Sequence, residues 1–449
     1  MSASSLNNQR HLGVFILEHY MKMNKTYASW LAAIAMLGGG ALTAHAAEWI
    51  SLFDGKTLTG WVQRGGEAKY RVEDGQIIGT TVPKTPNSFL CTDKTYGDFI
   101  LELEFKVDPK MNSGIQFRSN VFGEDTTLDD VKNAQGKPIK IAAGRVHGYQ
   151  CEIDPSARAW TAGIYDEGRR GWLNDLKDNP KAQKAFKQNE WNKVRIEAIG
   201  DSLKTYLNGV PAADLKDSLT PEGFISLQVH GIGNKTETME VAWRNIRIQD
   251  LDAAKRTKIF NGKNLEGWTL ADGKPVTAGW QVEDGVLYRA AKGGDIYTAK
   301  EYGDFDFRFE WKVAEGSNSG VKYRMAQYGK SWLGPEYQVL DDEKHPDAKL
   351  REGRRKSGGL YDLYVPNSSK ILKPVGEWNC SRIVAKGSKI EHWLNGALVV
   401  SYDTASDDFK ERVMGSKFAK TPTFNQNASG RIQLQDHGDP VWYRNLTVQ

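Results

Sequence analysis

Several short runs in the chain place acids, amides and bases at every second position. In Gly148-Tyr-Gln-Cys-Glu-Ile-Asp154, an extended strand would project Gln150, Glu152 and Asp154 from one face while Cys151 and Ile153 point the other way. Gly334-Pro-Glu-Tyr-Gln-Val-Leu-Asp341 repeats the pattern with Glu336 and Gln338, the carboxylate and the amide having traded places. Gln116 with Arg118, and Lys322 with Arg324, are spaced the same way, as are Gln228 with His230 and Gln435 with His437. Trp160 and Trp172, and again Trp332 and Tyr361, stand in the segments between such runs. Aromatic planes beside amides and carboxylates suit a sugar, whose C–H face stacks while its hydroxyls take hydrogen bonds. Two readings stand side by side: a concave face that binds a ligand, or a satisfied structural network on a solvated sheet. Gln and His are not ordinary strand fillers, and the same types recur at the same steps twice, which favours the ligand. A third cluster is loop-borne: Gly163-Ile-Tyr-Asp166 and Gly359-Leu-Tyr-Asp362 put a Tyr-Asp pair after glycine in both places, marking Asp166 and Asp362 as further lining groups.

Other chemistries test negative. Five of the eight histidines (His147, His230, His345, His392 and His437) lie beyond residue 47, and none forms an H-x-x-x-H pair. No metal ligand set is assigned, and a divalent cation held by scattered carboxylates stays open because such spacing is invisible in sequence. Cys91, Cys151 and Cys380 permit one disulfide at most and contain no C-x-x-C, which excludes a cysteine zinc site. There is no G-x-S-x-G elbow, Walker loop or dinucleotide fingerprint.

The elements that must position these residues are written twice. Phe53-Asp-Gly-Lys-Thr-Leu-Thr-Gly-Trp61 returns as Phe260-Asn-Gly-Lys-Asn-Leu-Glu-Gly-Trp268, and Tyr96-Gly-Asp-Phe99 as Tyr302-Gly-Asp-Phe305. Asn112-Ser-Gly114, Glu190-Trp-Asn192, Leu207-Asn-Gly209 and Arg244-Asn245 return in the same order as Asn318-Ser-Gly320, Glu377-Trp-Asn379, Leu394-Asn-Gly396 and Arg444-Asn445. This is a tandem duplication, with domains over 48–250 and 257–449. Ile100–Val107 and Phe305–Val313 alternate apolar and polar residues, the mark of a strand with one buried face, and Asn-Gly pairs stand between such runs as hairpin turns. Helical patterning is limited to 181–187 and 407–413. The class predicted is all-β: two jelly-roll sandwiches of about 200 residues each.

At 449 residues, two or three domains are expected. A net charge of +4 is too near neutral to indicate a nucleic-acid surface. Lys22 and Lys25 precede an apolar run from Trp30 to Leu42, followed by Ala44-His45-Ala46. That order predicts a signal peptide over 1–47 and a periplasmic or secreted protein. Met21 or Met23 is the more natural start, and the expectation that follows is a mis-assigned extension over residues 1–20. No later run is long enough to span a bilayer, and the oligomeric state is left open.

Glu152-Ile-Asp154 is similar to the E-x-D-x-x-E strand of jelly-roll endoglucanases, but Ala157 stands where their second glutamate is needed, so a two-carboxylate retaining mechanism does not fit. Nearly the whole chain beyond residue 47 resembles, in both copies, the concanavalin A-like sandwich domains called 3-keto-disaccharide hydrolases. The resemblance rests on F-[DN]-G-K-x-L-x-G-W, Y-G-D-F, N-S-G-[IV]-x-[FY]-R, Gly334-Pro-Glu-Tyr-Gln338, Gly358-Gly-Leu-Tyr-Asp362, Glu391-His-Trp-Leu-Asn-Gly396, Ser416-Lys-Phe418 and Leu434-Gln-Asp-His-Gly438. It implies an enzyme for 3-keto-glycosides, in which the C3 ketone acidifies the C2 hydrogen, a base removes it, the C1 substituent leaves and water adds. Under it Glu336 or His437 is the base, and Arg324, Gln338 or a divalent cation meets the enolate. Asp362 and Gln435 orient hydroxyls, with Lys322, Tyr361 and Trp332 beside them. The first-copy counterparts are Arg118, Gln150, Glu152, Asp154, Asp166 and His230. The first copy departs from the pattern at Gln150/Glu152 and at Val229, where the second has Asp436, so it is either a second site of other specificity or a binding and docking domain. The competing reading is a non-catalytic carbohydrate-binding protein of two lectin-like sandwiches.

Overall fold

The computed structural model describes residues 47–449 apart from 134, 330 and 422, so the signal peptide expected over 1–47 lies, but for its last residue, outside the described residues. The period-two runs fold as predicted. Phe99–Val107 and Phe305–Val313 are central strands, each with its alternate apolar residues (Phe99, Leu101, Leu103 and Phe105; Phe305, Phe307, Phe309 and Trp311) turned into a sandwich core. Each lies in an eight-stranded antiparallel sheet. Facing the first is a seven-stranded sheet with the order Gly171–Asn174, Ile164–Glu167, Val146–Ile153, Ser113–Val121, Phe224–Val229, Ser88–Thr92, Trp61–Gly65. Facing the second is a six-stranded sheet. There Ile296–Tyr302, Gly430–Leu434 and Asn318–Tyr328 lie side by side, and Glu336–Leu340 pairs the free edge of Asn318–Tyr328. The class is all-β, two tandem sandwiches of the jelly-roll kind, each with its own hydrophobic core. Among the described residues α-helix is confined to Pro180–Gln183 and to Asp407–Met414, the latter capped by Ser406 Oγ, which accepts the Phe409 N–H at 3.1 Å. Among the described residues no helix is long and apolar enough to cross a membrane, and all three cysteines are free and buried.

The repeated motifs lock the scaffold. Trp61 Nε1 donates to the Leu52 carbonyl and Trp268 Nε1 to that of Ile259, both at 2.9 Å. Asn208 Nδ2 donates to Asn192 Oδ1 at 2.9 Å, and Asn395 repeats this on Asn379 at 2.8 Å, tying each Leu-Asn-Gly turn to its Glu-Trp-Asn strand. Arg118 and Arg324 correct the expectation that placed them on the polar face. Each has positive φ, 45° and 43°, which breaks the alternation and turns the side chain away. The Arg324 guanidinium donates to the carbonyls of Gly303 (3.1 Å) and Gly387 (2.7 Å) and to Asp304 (3.2 Å). Arg118 does the same with Gly97 (2.9 Å), Gly200 (2.7 Å) and Asp98 (3.0 Å). Both arginines are buried clamps on the Tyr-Gly-Asp-Phe turns.

The two sandwiches meet through one edge of the first copy's seven-stranded sheet. Val62, Phe89, Cys91 and Phe224 on its outer face pack against Ala397 and Ile371 of the second copy. Buried Arg64 donates to the carbonyls of Ser369 (2.8 Å) and Asn395 (2.9 Å). Arg308 and Arg382 both reach Glu222, at 2.6 and 2.9 Å, and Lys94 meets Glu310 at 2.6 Å. The turn of the second copy's Leu394–Ala397 hairpin therefore sits on the face that the first copy would have offered to a ligand.

A candidate active site on the second sandwich

On the six-stranded sheet, Val321, Tyr323, Tyr337, Val339, Ile432 and Leu434 point into the core. Alternation turns their neighbours outward. Cross-strand pairing then lines up one row over four strands: Tyr297 opposite Gln433, Gln433 opposite Lys322, Lys322 opposite Glu336. The next row holds Gln435, whose N–H donates to the Gly320 carbonyl at 3.0 Å, then Gly320, then Gln338. Glu336 leans inward over Gly320; a Cβ on that glycine would stand 2.3 Å from Glu336 Oε1. Lys322 Nζ lies 3.7 Å from the other carboxylate oxygen.

This floor is short of partners. Gln338 Nε2 donates to Asn318 Oδ1 at 3.2 Å, but Gln338 Oε1 has none, nor does Gln435 Oε1, nor either polar atom of Gln433, though all are buried. Buried amides are normally paired, so this row has hydrogen-bonding capacity that water or a polyhydroxyl ligand would take up.

Tyr361 forms one wall. Its N–H donates to the Glu336 carbonyl at 3.0 Å, its hydroxyl to Asp347 at 3.2 Å, and the Lys417 ammonium lies 4.0 Å from its ring centroid. Burial lowers the Lys417 pKa; Glu336 opposes this and Lys322 adds to it. Tyr297 and Trp332, with centroids 6.4 Å apart, stand at the opposite side.

Asp295 lies opposite Gln435, one step before the Ile296–Tyr302 strand. Its Oδ1 accepts the Asp436 N–H at 2.8 Å, and Asp436 itself holds the preceding turn through Arg289 (2.6 Å) and the N–H groups of Gly293 and Gly294 (2.8 Å each). Burial raises the Asp295 pKa, against the Asp436 N–H and the Lys322 cation.

Other expected residues stand elsewhere. Asp362 does not reach the face: buried, with φ of 67°, it accepts from Arg355 at 3.0 Å and from the Lys417 N–H at 3.2 Å, fastening the loop beneath Tyr361. Asp166 is held likewise by Arg169 and Arg170 at 2.8 and 2.6 Å, and Asp154 by Arg158 at 2.8 Å. His437 is exposed at the rim, its Nδ1 4.0 Å from Asp439. With His345 the pair brings ligand atoms within 4.8 Å of one another, a set able to approach a cation. It does not fit a resident metal well, because His345 Nδ1 already accepts the Asp347 N–H (3.2 Å), which leaves the proton of the neutral ring on Nε2. His230 accepts no part in a cluster; its Nδ1 lies 2.8 Å from the Gly231 carbonyl.

The same register in the first copy gives a different surface. Gln150 stands for Glu336, Glu152 for Gln338, Gln116 for Lys322, Ser226 for Gln433, Cys91 for Tyr297 and Phe89 for Asp295. Here most of the polar groups close on one another, and Gln228 Oε1, the counterpart of Gln435 Oε1, is the amide atom of this row left without a partner. Ser226 donates to Gln116 (3.2 Å), Gln116 to Gln150, and Gln150 and Asn112 to the two oxygens of Glu152, each at 2.6 Å. Burial raises the Glu152 pKa, opposed by those two amide donors. Gln150 and Glu152 thus lie together as hydrogen-bonded members of this network.

Sequence reasoning missed Asp295, Gln433 and Lys417. Gln433 lies two residues from Gln435, so alternation alone could have found it, and Lys417 stands within the Ser-Lys-Phe motif without an assigned role. Asp295 carries no local signal.

Residues 48–249 and 255–449 each match the 3-keto-alpha-glucoside-1,2-lyase-like domain. The chain belongs to that family. Over 231 residues it is 33% identical to a 3-keto-disaccharide hydrolase of Bacteroides thetaiotaomicron, covering 44% of this chain and 79% of that protein. It is also similar to two crystal structures of candidate glycosyl hydrolases from Parabacteroides distasonis. One is 35% identical, covering 43% of this chain and 92% of the other, with a TM-score of 0.39. The second is 27% identical, covering 43% and 98%, with a TM-score of 0.35. Within this lyase-like family, the chain carries the domain twice, and the copies present unlike faces.

Proposed function

We propose that the chain is a carbohydrate-active hydrolase for 3-keto-glycosides, that its chemistry takes place on the second sandwich, and that the first sandwich is a docking domain. The observation that carries this reading is the contrast between the two faces: unpartnered buried amides around the Lys322–Glu336 pair in one, and in the other a largely self-bonded amide network on a face against which the other copy's hairpin packs. Family membership and the 3-keto-disaccharide hydrolase relative support the substrate class.

On this reading the sugar lies beside the Glu336 carboxylate, which fills the space over Gly320, with its hydroxyls on the amides of Gln338, Gln433 and Gln435. Glu336 removes the C2 proton that the C3 ketone has acidified. Lys322 and Lys417 supply positive charge for the enolate oxygen, the preorganised electrostatic stabilisation such a step needs. Tyr361 gives an apolar wall for the ring's C–H face. The leader-type segment over 1–47 supports a periplasmic or secreted place of action.

The test is release of free sugar from a 3-keto-disaccharide, with the unoxidised disaccharide as comparison. Release from the 3-keto compound alone supports the reading. Equal cleavage of both indicates an ordinary glycosidase, and saturable binding without product indicates a lectin.

A further inference from the structure

We infer that Asp295 is the second proton-transfer group of this site, the acid that protonates the departing C1 oxygen and then the base that activates the hydrating water. The inference rests on the 3-keto-glycoside reading above and assigns the step that Glu336 leaves uncovered.

The placement comes from the sheet. Asp295 and Glu336 belong to the two flanking strands of a four-strand row, about 14 Å apart by the usual spacing of strands. Both lean inward: Glu336 lies over Gly320, and Asp295 Oδ1 takes the N–H of Asp436 on the neighbouring chain segment. The floor between them is Gln435, Gly320, Lys322 and Gln433, which includes three of the four unpartnered amide atoms. A pyranose on that floor therefore meets one carboxyl group from each side. Asp295 is also the end point of a dedicated support, since Asp436 spends its carboxylate on Arg289 and on the N–H groups of Gly293 and Gly294, fixing the turn that carries Asp295. The first copy lacks both parts: Phe89 stands at the Asp295 position, packed under Ala397 and Ile371, and Val229 at that of Asp436. Burial favours the protonated carboxyl, the form an acid needs at the start of the cycle.

The step balances as follows. Glu336 takes H2, and the C2–H electrons form the C2–C3 enolate. The C3 carbonyl re-forms as the pair moves to make C1=C2, the C1–O bond breaks, and the leaving oxygen takes the Asp295 proton. Water then adds across C1=C2: Asp295 takes one proton as the oxygen bonds C1, and Glu336 returns its proton to C2. Both groups end as they began, and the sum is hydrolysis.

The test uses Asp295→Asn, which keeps an oxygen for the Asp436 N–H, in the full chain with two substrates: a 3-keto-disaccharide, whose leaving group is a poor one, and a nitrophenyl 3-keto-glucoside, whose leaving group needs no proton. The expected result is a loss of about 10² or more in kcat/KM on the disaccharide with only a few-fold change on the nitrophenyl compound. Asp295→Ala should behave likewise, with the disaccharide rate partly restored by added formate. Equal losses on both substrates at an unchanged melting temperature, or no loss on either, overturn the inference while leaving the 3-keto-glycoside reading in place. An unsubstituted enzyme that cleaves neither substrate overturns both.

Discussion

Glu336 and Gln150 hold the same register position in the two copies, each folded over a glycine, and only Glu336 is charged. A Cβ on Gly320 would lie 2.3 Å from Glu336 Oε1, and one on Gly114 would lie 2.4 Å from Gln150 Cδ. The Asn-Ser-Gly motif is thus the space into which the next strand's side chain folds. In the second copy that side chain faces Lys322 and unpartnered amides; in the first it is the middle link of a closed chain.

Gly320→Ala should therefore act on chemistry more than on stability. Gly320 has an ordinary φ, so alanine strains no backbone, but Glu336 must rotate away. A displacement of about 1 Å at a proton-transfer group costs on the order of 10² in rate. Steady-state kinetics on a 3-keto-disaccharide should show that loss, while Gly114→Ala leaves the rate within about two-fold of the parent.

Arg324→Ala should do the reverse. It removes a buried guanidinium from two carbonyls and a carboxylate and leaves a cavity, an expected cost of about 3 kcal/mol. Denaturant unfolding should show the shift, and the folded fraction should keep its turnover. A folded, stable variant without activity would return Arg324 to the site.

Stability should fall in mild acid, before carboxylates are protonated. Burial holds His392 down to about 4, its Nε2 being 2.6 Å from the Tyr323 hydroxyl. The unfolded chain takes up that proton near pH 6.5 and the folded chain only near 4, so stability rises with pH across this window. About 3 kcal/mol from this ring is present above pH 6.5 and lost by about pH 4. His147, held at about 3 chiefly by burial, works in the same direction. Urea unfolding from pH 4 to 7 should show the slope, reduced but not abolished in His392→Gln.

The scaffold was legible because its locks are local and repeated. The Trp61 and Trp268 indole bonds, the Asn192–Asn208 and Asn379–Asn395 pairs and the arginine clamps all coincide with motifs that recur in sequence. Repetition marks what both copies need to fold, and Arg118 and Arg324 recur because each clamps a Tyr-Gly-Asp-Phe turn. Their positive φ breaks the strict alternation on which the facing assignment depended. The candidate site lies instead where the copies differ: Asp295 against Phe89, Lys322 against Gln116, Glu336 against Gln150, Asp436 against Val229. Those differences become readable only when strand pairing sets the register. Lys417 was beyond reach for another reason, since only loop packing carries its ammonium to the Tyr361 ring.

The most direct measurement compares Glu336→Gln with Gln150→Ala in the full chain, reading sugar release from a 3-keto-disaccharide at matched melting temperature. Glu336→Gln is expected to lose about 10² to 10⁴ in kcat, with Gln150→Ala near the parent rate. Full activity in Glu336→Gln, or its loss in a well-folded Gln150→Ala, would contradict the placement of the chemistry on the second sandwich.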